Sequence, residues 1–292
     1  MIKMTKKIIS IFLAIICLIG LISCGGEKET PKKLPPVVTE GLPENEKLTT
    51  SYETDGFVVN LYKTYAEIVE YKGKEATVTV PDAFMGIAVK SIGEYAFFEN
   101  EAVTSVTLPD SLIVIGKSAF EDCAALTEVK LGSKLEVISQ AAFRDSALEK
   151  INLPDSVAEI DRYAFYRTRI KEIKLPSNLS SVSKYAFYGC EQLTKIEFCQ
   201  RIERVAEYAF SGCTALKTVV IPDSIKMLSD YSFSDCPELT AIFVPKSTSL
   251  GENPFLGCTK LTIYSPSGSK ASASAKKYGY SFQTCPSADK MP

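Results

Sequence analysis

Residues 108–131 read LPDSLIVIGKSAFEDCAALTEVKL, and the same frame returns as LPDSVAEIDRYAFYRTRIKEIKL over 153–175 and as IPDSIKMLSDYSFSDCPELTAIFV over 221–244. Aligned on the residue after the small side chain, Phe97, Phe120, Phe143, Phe165, Phe187, Phe210, Phe233 and Phe255 fall 22 or 23 residues apart. A unit this short cannot bury about seven apolar positions alone. Stacking successive units joins those positions into continuous internal ladders, so the periodicity predicts a repeat solenoid of eight coils between Pro81 and Tyr264.

Within each coil a short alternating stretch, such as Val129-Lys130-Leu131 or Ile173-Lys174-Leu175, is a strand signal. A proline follows at Pro109, Pro154, Pro176, Pro222 and Pro245, where a strand ends and a turn begins. The A-F-x-x-C segment reads as a compact turn or a short helical piece across the coil. Parallel strands spaced about 4.8 Å apart would give a rod roughly 35 to 40 Å long.

This frame resembles the BspA-like class of bacterial leucine-rich repeats, whose recurrent pattern is I-P-x-x-[VI]-x-x-I-x-x-x-A-F-x-x-C-x-x-L. The resemblance implies a leucine-rich-repeat-like right-handed coil with a parallel strand sheet on one face. The flanks fit it too: residues 56–81, GFVVNLYKTYAEIVEYKGKEATVTVP, resemble an N-terminal β-hairpin cap, and 267–282, SGSKASASAKKYGYSF, resemble a closing helix and last strand. Gly132 and Cys199 stand where the pattern has Pro, and Asn100, Ser146 and Thr168 where it has Cys. The implied organisation is a signal peptide (1–23), a tether (24–50), an N-terminal β cap (51–80), eight repeats (81–265), a C-terminal cap (266–285) and a tail (286–292).

The N-terminus reads as an address. Lys3, Lys6 and Lys7 precede an apolar run from Ile8 to Ile22, about 15 residues, shorter than the roughly 20 that span a bilayer. Leu21-Ile22-Ser23-Cys24 followed by Gly25-Gly26 resembles a bacterial lipobox, which implies acylation of Cys24 and membrane attachment through several fatty chains. A plain secretory signal or short anchor helix with an incidental Cys24 is the alternative. Residues 25–50 are rich in Pro, Glu and Lys without apolar periodicity, the composition of a solvated tether.

Composition narrows the chemistry. The 33 basic and 35 acidic residues give a formal charge of −2, and loss of the leader would make the chain more acidic still. Such a protein offers no basic footprint for a phosphate backbone, so nucleic acid is not an expected partner. There is no histidine, which removes the commonest general base near neutral pH and the commonest metal ligand. No catalytic constellation can be assembled; the expectation is a non-enzyme without cofactor or metal.

Other motifs dissolve into the repeat. Cys123, Cys190, Cys213, Cys236 and Cys258 each sit three residues after a ladder Phe. One Cys per coil lacks the paired spacing of zinc sites, and small buried hydrophobes in a tight turn account for them; disulfide pairing among them stays open. Cys285, beyond the repeats, is the expected reactive thiol. Gly116-Lys117-Ser118 and Ser181-Val182-Ser183-Lys184 mimic fragments of a phosphate loop and a Ser-x-x-Lys motif, but their companion motifs are missing.

Binding is therefore expected on the strand face. With apolar strand residues inward, one outward row is Ser105, Glu128, Lys150, Glu172, Lys195, Thr218 and Ala241; the other is Thr107, Lys130, Asn152, Lys174, Glu197, Val220 and Phe243. Alternating signs in the first row predict ion pairs between neighbouring strands. The candidate binding residues are Lys174, Lys195, Glu197, Thr218, Val220, Ala241, Phe243 and Tyr264, with Val220 and Phe243 an exposed apolar pair unless the closing helix covers them. Tyr163, Tyr185, Tyr208 and Tyr231 form a further ladder that suits either a contact surface or stacked turn packing. The family resemblance implies adhesion to host extracellular-matrix proteins or other cells from a lipid-anchored, outward-facing position. The alternative is a structural envelope scaffold with no external ligand.

Overall fold

The computed structural model describes residues 42–43 and 46–291. The lipidation site expected at Cys24, the leader and most of the tether lie outside the described residues. Beyond an antiparallel cap that starts at Thr50, the chain is a solenoid of parallel strands with one short α-helix near its C-terminal end.

Successive coils meet at three corners, two of them built of sheet. At the front, three-residue strands pair in parallel and in register, as Ser105–Thr107 does with Glu128–Lys130. Proline or glycine then opens a tight turn closed three residues on, for example by Leu112 N–H donating to the Pro109 carbonyl at 3.1 Å. A second, back sheet follows, built of two-residue strands such as Val114–Ile115, Val137–Ile138 and Glu159–Ile160. The repeat pattern had marked the apolar residue of each pair as core without marking it as strand. The third corner is the Ala-Phe turn, where Phe120 N–H donates to the Ala142 carbonyl at 2.7 Å and the pattern recurs coil by coil. It is a turn, not a helix.

The eight phenylalanines are fully buried and stack one on another, with centroids 4.8 to 5.4 Å apart from Phe97 through Phe233 and 6.3 Å at Phe255. Tyr71 stacks on Phe97 at 4.9 Å, and Tyr280 sets its edge against Phe255 at 5.6 Å, so both ends of the column are closed by an aromatic ring.

Two backbone positions per coil are left-handed, two residues before and two after each Phe. The second explains a recurring residue choice: Gly189, Gly212 and Gly257 alternate there with Asp122, Asp145 and Asp235, all at φ between 53° and 82°. Glycine meets this geometry without steric cost, and Asp tolerates it better than most side chains. The Pro-Asp-Ser triplet also acquires a purpose. Asp110 and Asp155 accept from the N–H of Ser133 and Ser177 in the following coil, while Ser111 and Ser156 donate to the Val89 and Leu135 carbonyls of the preceding one.

The N-terminal end is capped by three antiparallel strands, Thr50–Thr54, Phe57–Leu61 and Ala66–Tyr71. The hairpin expected there is present, with one further strand joined to it through the Asp55-Gly56 turn, both at positive φ as two-residue hairpins require. Thr77–Thr79 already pairs with Ser105–Thr107 as the first rung of the front sheet. At the other end, the helix Lys270–Tyr278 and the strand Ser281–Thr284 close the stack, the strand pairing with Thr262–Ser265.

Candidate binding surface

The residues with chemistry to offer lie mostly inside. Five thiols of the repeat, Cys123, Cys190, Cys213, Cys236 and Cys258, are buried and unpaired. Each Sγ–H donates to the carbonyl of the preceding coil's Phe, at 3.0 to 3.4 Å. Burial pushes the Cys123 and Cys190 thiols up to about 12, which suppresses the thiolate needed for reactivity. Where Cys is missing, Ser146 and Thr168 donate instead to Phe143 and Phe165, and Asn100 accepts from the N–H groups of Ala102 and Val103. Cys285 corrects an expectation. It is 4% exposed, with its thiol donating to the Ser287 carbonyl, so it is packed and not a free reactive group. The phosphate-loop mimic is structural too: Gly116 lies against the Ile92 carbonyl, Lys117 pairs with Glu94, and Ser118 is buried.

Tyr163, Tyr185, Tyr208 and Tyr231 are half-buried and stack at 5.0 to 5.1 Å with planes within 15°. Tyr166 and Tyr188 form a parallel pair beside them, also at 5.0 Å. The four ladder tyrosines occupy the first left-handed position, at φ 56° to 62°. That backbone costs about 1 to 2 kcal/mol per residue, and aromatic pairing, about 0.5 to 1.5 kcal/mol each, offsets much of it. Stacked turn packing accounts for this ladder.

The front face is where polar and apolar groups remain open. The expected register is present: Glu172 lies beside Lys195, Lys174 beside Glu197, Thr218 beside Ala241, and Val220 beside Phe243, which neighbours Tyr264. The charges settle differently from expectation. Lys195 pairs with Glu197 on its own strand at 2.5 Å, which raises the lysine pKa and lowers that of the carboxylate. On this side, pairs that cross between coils precede the outward row, Lys171 with Glu149 at 2.7 Å one residue ahead of it and Lys260 with Glu238 at 2.6 Å two and three residues ahead. A long side chain just before the strand can reach back along the turn, whereas directly opposed rows leave each charge a closer neighbour two residues along. These exposed pairs contribute little stability.

The front sheet is interrupted twice. Hydrogen-bonded pairing stops between Lys150–Ile151 and Glu172–Lys174, and again between Lys195–Glu197 and Thr218–Val220. The surface opens at each interruption. The first holds a notch of about 230 Å³ lined by Asn152, Glu172, Lys174, Lys195 and Glu197. Three of the sequence-predicted binding residues thus share one concavity. The second holds a groove of about 560 Å³ around Val220, at the coil that has Cys199-Gln200-Arg201 in place of Pro-Asp-Ser.

Towards the C-terminal end, exposure departs from expectation. Val220 is 46% exposed, but Ala241, Phe243 and Tyr264 are only 7%, 6% and 9% exposed. They are covered by Cys285, the last residue of the cap, and by Ala288 and Met291 of the tail, and not by the closing helix. The sequence signal was slight: two apolar residues after Pro286, in a segment too short to show periodicity.

A stack of short coils with parallel front strands, an apolar column and a cap at each end defines a leucine-rich-repeat solenoid. The BspA type leucine rich repeat region matches in six copies, over residues 90–207 and 180–288, and the chain belongs to that family. It is similar to the crystal structure of a leucine rich repeat protein of T. pallidum, with 25% identity and a TM-score of 0.55, covering 80% of this chain and 98% of that one. It is also similar to a leucine-rich repeat protein from Bacteroides ovatus, with 24% identity and a TM-score of 0.57, covering 82% and 66%. No curated protein matches it.

Proposed function

We propose that this chain is a lipid-anchored envelope protein that binds macromolecules outside the cell, host matrix proteins or the surfaces of other cells, through the front face of its solenoid. The observation that carries this reading is the gathering of exposed polar and apolar side chains into two concavities on one face. Elsewhere the repeat consumes its phenylalanines, cysteines and prolines in core and turns. Leucine-rich-repeat proteins are typically non-enzymatic, in keeping with a sequence that lacks histidine. Rigid repeat surfaces of this kind supply area, and the outward residues select the partner.

Anchoring rests on the lipobox-like Leu21-Ile22-Ser23-Cys24. Two or more acyl chains hold a protein stably at a membrane where one does not. Metabolic labelling with a fatty acid tests it: wild type takes up label and fractionates with membranes, and Cys24→Ala does neither. Label retained by Cys24→Ala overturns the anchor. Protease treatment of intact cells, paired with binding of the purified protein to immobilised matrix proteins and cells, tests adhesion. Complete protection, or uniform failure to bind, favours the scaffold reading.

A further inference from the structure

We infer that the groove beside Val220 docks an extended, uncharged segment of a partner protein bearing proline and alanine, an inference that rests on the front-face reading above. The groove lies where the front sheet is interrupted. Its floor includes Ile196, half-buried although its counterparts Ile173 and Val219 on neighbouring coils are buried, and the partly buried Phe198. Its walls carry four prolines, Pro222 and Pro245 from coil turns, Pro266 from the cap and Pro286 from the tail.

The occupant is indicated by what covers the adjoining surface. Val220, Phe243 and Tyr264 form one column of register partners. The chain's own tail already lies over the Phe243 and Tyr264 part of that column, and Pro286, Ser287 and Ala288 border the groove where the column remains open. The tail is extended at Ser287 (φ −158°, ψ 161°) before a single 3-10 turn. The open half is thus bordered by Pro286-Ser287-Ala288, short side chains on backbone that is extended up to the 3-10 turn, and a second segment of that chemistry would lie end to end with this stretch.

Proline suits the open half. Its fixed φ reduces the ordering cost of an extended peptide, and its missing N–H needs no strand to pair with. Charge has little to select for, because Glu197 is held by Lys195 and the other two charged residues of the lining, Asp223 and Lys246, are exposed and opposite in sign. Stacking of a sugar ring would need an open aromatic face. Phe198 is turned edge-on against Phe210, and Phe243 is under the tail.

The test uses the full chain and a fluorescent Ala-Pro-Ser-Ala-Pro-Ala hexapeptide followed by anisotropy, with the same samples measured against immobilised matrix proteins. Saturable peptide binding is expected, weakened at least tenfold by Val220→Asp and unchanged by Tyr188→Ser on the turn side. The methyl resonances of Val220 should shift on titration in wild type. No saturable binding, or equal binding by Val220→Asp, overturns the groove assignment. The two readings separate: matrix binding without peptide binding refutes the groove alone, and peptide binding without matrix binding refutes adhesion alone.

Discussion

Phe165→Ala removes one ring from the middle of the aromatic column. Phe165 is fully buried and stacked between Phe143 at 5.4 Å and Phe187 at 5.1 Å, with planes within 9° of parallel to both. Truncating a buried Phe to Ala costs about 3–5 kcal/mol through lost transfer energy and the cavity left behind. Two aromatic pairings are lost as well, each contributing about 0.5–1.5 kcal/mol beyond area, which puts this site at about 4–5 kcal/mol. Against a total stability of about 5–15 kcal/mol for a folded domain, that loss is severe. Because each coil contacts only its neighbours, the damage also falls on coupling between the two halves of the stack. Urea unfolding followed by tyrosine fluorescence, which suits a chain with 14 Tyr and no Trp, should show an earlier and broader transition with a lower m-value. Phe165→Leu should recover more than half the loss. A destabilisation below about 1.5 kcal/mol, well under the usual range for such truncations, with an unchanged m-value would refute the account of the column as the core.

Three further outcomes follow from particular groups. Glu159 on the back sheet has its pKa raised, first by burial and then by Asp161; its contribution is favourable when protonated and is lost as pH rises through the folded-state value. Glu159→Gln should therefore raise Tm at neutral pH, with the gain shrinking as the pH falls below the folded-state value in melts recorded across an acid series; a gain that persists undiminished at acid pH would contradict the assignment. Among the seven described thiols, Cys199 is the half-buried one, and it should react first with a thiol reagent in native buffer, while the five repeat thiols react only on unfolding. Equal rates for all would show that the coils open freely. Deleting residues 286–292 should uncover Ala241, Phe243 and Tyr264 and raise binding of a hydrophobic dye; unchanged dye binding would mean that something other than the tail covers them.

How much of this was legible in the sequence depends on the range of the interaction. The Phe column could be read directly, because a 22 to 23 residue period aligns residues that must then touch. The left-handed turn after each Phe left a trace in the alternation of Gly189, Gly212 and Gly257 with Asp122, Asp145 and Asp235, though Tyr at the other left-handed position gives no such trace. The Asp and Ser of Pro-Asp-Ser were visible as a motif, but their bonds run to different coils and only the stack reveals them. On the candidate surface, Lys174, Lys195 and Glu197 were placed together by register alone. The exposure expected of Phe243 and Tyr264 failed because it is set by Ala288 and Met291, which pack from outside the repeat. The two interruptions of the front sheet have no counterpart in the period.

The claim that the front face does the binding is tested most directly by comparing one variant on each side of the solenoid in a single assay. Lys174→Glu combined with Lys195→Glu and Val220→Asp alters both concavities. Tyr188→Ser alters the opposite, turn-side surface. With wild type bound to immobilised matrix proteins or whole cells, the front-face variant should lose at least tenfold in affinity while the turn-side variant keeps it, both with unchanged circular dichroism. Equal retention by both, or loss confined to Tyr188→Ser, would contradict the account.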